Sequence, residues 1–122
     1  MKIFDASLAR LERSMDVRLA RHGVLASNLA NVDTPAYQPK DVDFEAAMAV
    51  ASGFEDPTGG GDSGDMPLRA AVSAAPGLDG NGVDLDRTMA ALAENALQYG
   101  ASARAAGKKL AILRYVASDG NG

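Results

Sequence analysis

Apolar residues recur near the start of the chain at alternating steps of four and three: Phe4, Leu8, Leu11 and Met15, then Leu25, Leu29 and Val32. Arg18 and His22 occupy the intervening places, and Leu19 covers part of that break. From Leu85 the same alternation runs without exception through Met89, Leu92, Ala96, Tyr99, Ala103, Ala106, Leu110, Leu113 and Ala117. A strict period of about 3.5 keeps a seam against another helix, whereas a helix lying on a globular core drifts toward 3.6. The pattern predicts an all-α chain in which two long terminal helices pair as an antiparallel coiled-coil hairpin. Over 3–31 and 84–116 those helices would measure roughly 43 and 49 Å, so their lengths match.

Gly and Pro divide the chain into zones. Eight of the 13 glycines lie between Gly53 and Gly82, and PTGGGDSGD with Pro67, Pro76 and the pairs Asp79-Gly80 and Asn81-Gly82 has the chemistry of a flexible loop. One domain over 1–122 is expected: an N-terminal helix over 1–31, an extended and loop-rich segment over 32–82, a C-terminal helix over 83–117 and a tail over 118–122. Asp43 is placed to cap a short helix near 43–51, with Gly53 as its stop. Asp84 and Asp86 suit the start of the second long helix, and Lys108, Lys109 and Arg114 suit its end.

Composition changes the picture by limiting the core. Twenty-four alanines stand against twenty-five Leu, Ile, Val and Phe together in 122 residues, and Trp is absent. So little bulky material does not hold an isolated hairpin firmly, and the chain is expected to complete its folding on partners. Gly100 and Gly107 beside the second seam permit close approach of other backbones. No stretch approaches the roughly 18 to 20 apolar residues of a membrane span. Asp5, Arg10, Glu12 and Arg13 interrupt any signal-peptide core, so export without a cleaved signal is expected.

Candidate chemistry is sparse. The absence of Cys removes thiol nucleophiles and Cys-type zinc sites. Asp41, Asp43 and Glu45 alternate, but acidic residues at a helix start account for them without a metal. GGGDSGD is a single copy of a calcium nonapeptide that acts only in stacked arrays. Asp79, Asn81 and Val83 fail the EF-hand pattern at the apolar Val83, and Ser102 stands where a phosphate loop before Lys108 needs Gly. His22 has no nucleophile or orienting acid beside it in sequence and reads as a tolerated polar seam residue. The clusters Arg10, Arg13, Arg21 and Arg104, Lys108, Lys109 sit in a chain of net charge −4 with few aromatics, which opposes nucleic-acid binding. No catalytic, cofactor-binding or metal-ligating residue is predicted.

What remains unusual is polar. In SNLANVDTPAYQPKDVDF, Asn28 and Asn31 face a helix end where side-chain amides satisfy loose backbone groups, and Thr34-Pro35 forces the chain out of helix. SNLANVDTPAYQ resembles the N-terminal signature of flagellar rod, hook and hook-associated proteins, close to NNIANxxTPGY, and GNGVDLDRTMAALAENALQY resembles their C-terminal partner motif. The matching positions are Asn28, Leu29, Asn31, Thr34, Pro35 and Tyr37 in the first motif, with Asp43 and Phe44 following in DVDFEAAM. In the second they are Val83, Asp84, Leu85, Met89, Glu94, Asn95 and Tyr99, and the seam continues through Ala103, Ala106, Leu110 and Leu113. Ala36 stands where that family usually has Gly, and Ser27 where Asn is common.

The resemblance implies a structural subunit of the proximal rod of the flagellar basal body, part of the drive shaft that transmits torque. DVDFEAAM, AENALQY and KKLAILRYV carry that likeness, and the first two separate it from the sister rod protein FlgC, the nearest alternative. It implies self-assembly with FlgC and related rod proteins, contact with the adaptor FliE and the inner membrane ring of the motor, and passage through the flagellar type III export apparatus to the periplasm. It implies no cofactor and no nucleic acid. Phe4 and Leu8 resemble the hydrophobic element by which early flagellar subunits engage the export gate, and they are equally ordinary seam residues. A different class, a secreted or membrane-surface helical-hairpin adaptor, would need a basic face and bulky anchors such as Trp.

Overall fold

The computed structural model describes residues 2–53, 66–71 and 78–119. Helix α1 spans Lys2–Ala30, strand β1 Lys40–Val42, helix α2 Phe44–Gly53, strand β2 Leu68–Ala70 and helix α3 Leu85–Asp119. The terminal helices, 29 and 35 residues long, lie antiparallel: Lys109 reaches Ser7 near one end, and Asn95 and Gln98 meet Arg18 further along. The bulk of the fold is therefore all-α, with two long terminal helices paired side by side.

Local chemistry sets the ends. Asp84 caps α3, its carboxylate accepting the Arg87 N–H at 3.1 Å and its carbonyl the Thr88 N–H at 2.9 Å. Asp43 does the same for α2, taking the Ala46 N–H on its side chain at 3.1 Å and the Ala47 N–H on its carbonyl at 2.8 Å. At the end of α1, Asn31 turns its side-chain amide back onto the Ser27 carbonyl at 2.8 Å. Because α3 continues to Asp119, Lys108, Lys109 and Arg114 lie inside it rather than in its last turn.

The core is small. Val17, Val42 and Ala47 form its buried centre, with Val24, Phe44, Met48 and Met66 packed around them. Val17 is not on the four-three series of α1, whereas Leu19, expected to cover a break in that series, is exposed. The reason is tertiary: β1 and α2 lie against one side of α1 and bury the face that carries Val17.

A second difference is the sheet. The middle, expected as an extended segment with one short helix and a flexible loop, contains an antiparallel strand pair, with Lys40 opposite Ala70, Asp41 opposite Arg69 and Val42 opposite Leu68. It continues beyond the strands through the Asp43 N–H to the Pro67 carbonyl and the Ala71 N–H to the Pro39 carbonyl. The expected flexible loop at GGGDSGD and Pro76 lies outside the described residues. No helix among the described residues is long and apolar enough to cross a membrane.

Candidate assembly site

At one end of the hairpin the two sequence motifs are tied together by asparagines. Asn28, fully buried, donates its amide to the Lys40 carbonyl at 2.6 Å and accepts the Lys40 N–H at 3.1 Å, so one side chain completes the outer edge of β1. Tyr37 donates its hydroxyl to the same Asn28 oxygen at 3.2 Å. Asn81 donates its amide to the carbonyls of Asn31, Val32 and Thr34, at 2.7 to 2.9 Å, while its oxygen accepts the Val83 N–H at 2.8 Å. It thus caps the end of α1 from the strand of chain that leads into α3. Thr34 donates to the Asn31 side chain at 3.0 Å, and Pro35 is exposed in the turn.

That turn holds Ala36 at φ 59°, facing Gly80 at φ 73°. The Ala36 N–H is drawn to the Asp79 carbonyl at 2.9 Å, and the Gly82 N–H to the Tyr37 carbonyl at 3.1 Å. Both bonds need the chain to reverse tightly, which requires the left-handed region where glycine sits without penalty. The family motif's usual Gly matches this conformation, and Ala36 adopts it nonetheless.

Behind the junction, Asp41 is held by Arg21 through two bonds, Nε to Oδ1 at 2.8 Å and Nη2 to Oδ2 at 3.0 Å. This fork-to-carboxylate pairing, mostly shielded from solvent, fastens β1 to α1. Asp41 is therefore a structural anion in a strand, not the first-turn helix residue expected. The hydrogen bond to Asp41 raises the Arg21 pKa against the opposing effect of burial. Burial and then the neighbouring Arg21 charge lower that of Arg18, with Glu94 opposing. Arg18 lies over the Phe44 ring, 4.5 Å from its centroid, and donates to Gln98.

The α1–α3 contact is polar where the sequence predicted an apolar seam. The buried residues of α3 are Thr88, Asn95 and Ala106, and Asn95 donates to the Arg18 carbonyl at 2.7 Å. Leu85, Met89, Tyr99 and Leu110 are exposed, as are Ala96, Ala103 and Ala117, while Leu92 and Leu113 are half-buried. Of the series, only Ala106 is fully enclosed. The hairpin uses the flank of α3 that carries Asn95, which donates to the Arg18 backbone, so most of the heptad stripe is left outside. Glu94 accepts from Gln98 one turn on. An added Cβ at Gly100 or Gly107 meets nothing within 4 Å in this chain, so their close approach is not to α1.

The remaining site residues divide by place. Asn28, Leu29, Asn31, Tyr37 and Val83 meet at the junction, with Thr34 and Pro35 at its surface. Asp43 and Phe44 start α2 against the core. The Phe4 side chain lies outside the described residues, and Leu8 is half-buried in α1. Residue reasoning missed Arg21, Asp41, Lys40 and Val17. It placed Asn81 only in a turn, although an Asn followed by Gly just before a helix was a visible sign of a capping amide.

No family model matches the chain. It is 35% identical over 134 aligned positions to the flagellar basal body rod protein FlgB of Salmonella typhimurium, with 96% of each chain covered. To the protein of that name from Escherichia coli it is 32% identical over 133 positions, again with 96% of each covered. To that of Bacillus subtilis it is 25% identical over 128 positions, covering 98% of this chain and 99% of the relative. These names are all FlgB, not the sister rod protein FlgC.

Proposed function

The chain belongs to the FlgB family of flagellar basal body rod proteins, and from that membership we propose how its surfaces serve the rod. It is a structural subunit of the flagellar basal body and assembles with other basal body components. In the proposal it forms the proximal rod in the periplasm, next to FlgC and related rod proteins, the adaptor FliE and the inner membrane ring, and transmits torque without catalysing a reaction. It reaches that place through the type III export apparatus, without a cleaved signal.

The observation that carries this reading is the outward heptad stripe of α3. Leu85, Met89, Ala103 and Leu110 keep a seam period yet stand exposed in the single chain, Leu85, Met89 and Leu110 at 44%, 55% and 53%. A seam of that period serves a neighbouring helix, so the rod supplies what the monomer lacks. Deleting the chain should leave basal bodies that stop at the inner membrane ring, as seen by electron microscopy of purified particles. Complete rods in its absence would overturn the reading.

Phe4 and Leu8 are proposed as the export element. Phe4→Ala should lower the amount of the chain secreted through the flagellar apparatus. Normal secretion with failed rod assembly would return both residues to the seam.

A further inference from the structure

Asn81 is followed by Gly82 just ahead of α3. That pair is open to attack by the chain on itself, because glycine has no side chain to keep its nitrogen off the neighbouring amide and turns freely into the conformation that ring closure needs. Asn28, Asn31 and Asn95 instead precede Leu29, Val32 and Ala96, whose Cβ atoms crowd the same approach. In the reaction the Gly82 nitrogen gives up its proton and bonds to Asn81 Cγ, the bond from Cγ to the side-chain nitrogen breaks, and ammonia leaves a succinimide ring behind. Water then opens the ring to aspartate or, through the other carbonyl, to isoaspartate. Water is the one co-reactant, and nothing is oxidised or reduced.

The fold holds both reacting groups apart. The Gly82 N–H is committed to the Tyr37 carbonyl at 3.1 Å. The Asn81 amide is shared among the carbonyls of Asn31, Val32 and Thr34, its oxygen holds the Val83 N–H, and its own backbone N–H is drawn to Asp79 Oδ1 at 3.1 Å. At 8% exposure the residue is also largely shielded from water. Neither the nitrogen nor the amide carbon can turn onto the other until the junction releases them. The product does not fit the place it came from. A carboxylate has no proton to give, so the carbonyls of Asn31, Val32 and Thr34 would lose their donor and face an anion. Isoaspartate adds an atom to the backbone ahead of Gly82 and shifts its N–H from Tyr37.

We propose that Asn81 is a self-modifying site, open while the chain is unfolded and shut by the folded junction, and that its loss of ammonia leaves the junction permanently unable to close. The time a copy spends unfolded is thereby recorded in one residue. The inference stands apart from the rod reading, and the purified full-length chain is enough to test it.

Trypsin places Asn81 in Ala70–Arg87, which holds no other asparagine or glutamine, apart from the second such pair, Asn121-Gly122. Mass spectrometry of that peptide should show ammonia loss about tenfold slower in native buffer than in urea at the same pH and temperature, the retardation given by a junction closed about nine-tenths of the time. Gly80→Val forces a branched side chain to φ 73° and leaves Asn81-Gly82 intact, and should bring the rate in buffer up to that in urea. In Asn81→Asp, the Ala36 and Gly82 amide protons should exchange as fast as in the unfolded chain. Equal rates in buffer and urea for the native chain would overturn the proposal, as would an Asn81 that stays intact in urea. So would a Gly80→Val chain as slow as the native one, or protected Ala36 and Gly82 amides in Asn81→Asp.

Discussion

Ala36 sits at φ 59°, a region where an L side chain costs about 1–2 kcal/mol. Two backbone bonds across the junction hold it there, from its own N–H and from that of Gly82. Ala36→Gly removes the clash but gains freedom in the unfolded chain, a loss of roughly 0.5–1 kcal/mol. The expected net effect is stabilisation by up to about 1 kcal/mol, read as a higher melting temperature by circular dichroism, with Ala36→Val shifting it downward. Asn28 acts in the other direction. Asn28→Leu keeps the volume and strands both backbone groups of Lys40, at about 1–3 kcal/mol for each group left unpaired, so hydrogen exchange at Val42 should quicken as β1 detaches. The Arg21–Asp41 pair behaves differently with pH. Arg21 has its pKa raised on folding, so its contribution is fully present below the ordinary guanidinium value and is lost only above it. Alkaline titration through the neutral range should leave the strand attached, and Asp41→Asn should loosen it at every pH there.

Helix α3 presents two faces with separate duties. One, through Thr88, Asn95 and Ala106, meets its own chain; the other, through Leu85, Met89, Ala103 and Leu110, meets solvent in the monomer. A charge placed on each separates them. Ala106→Glu puts a carboxylate into an enclosed position and should cost the isolated hairpin several kcal/mol, roughly 3 or more. Ala103→Glu should leave the thermal melt of the free chain unchanged and abolish motility, with secretion retained. The reverse assignment, a destabilised monomer for Ala103→Glu and normal motility for Ala106→Glu, would mean that the faces have been exchanged. The strand pair has a duty of its own: Val42 enters the core while Asp41 ties back to α1, so two neighbouring residues fasten the middle of the chain.

Across the whole molecule, burial is concentrated in a few residues around Val17, Val42 and Ala47, while Leu97, Ile112, Tyr115 and Val116, off the stripe, are also exposed to water. At roughly 25 cal/mol per Å² of apolar surface, such a core contributes little against the ordering of two long helices. Two buried polar atoms in the helix contact, Arg18 Nε and Asn95 Oδ1, also find no partner among the described residues, which weakens it further. The free chain should therefore be partly ordered, with helical signal by circular dichroism below that of the assembled rod and rising with concentration. A sharp melt of a fully helical monomer in dilute solution would contradict this.

The period of the terminal helices, the Asp43 and Asp84 caps and the exit from helix before Thr34-Pro35 were legible in the chain because each depends on residues within a turn or two of one another. The motifs at either end were legible as patterns for the same reason. Which face of α3 would turn inward was not. A heptad stripe states that a helix will be covered, not by which molecule, and here Asn95 draws a polar flank toward α1 while most of the stripe is left for others. The pairing of β1 with β2, the Arg21–Asp41 fork and the Asn81 cap likewise join residues twenty to fifty positions apart. Their strength comes from satisfying buried polar groups, and those groups become buried only once the helices, the strands and the junction have come together.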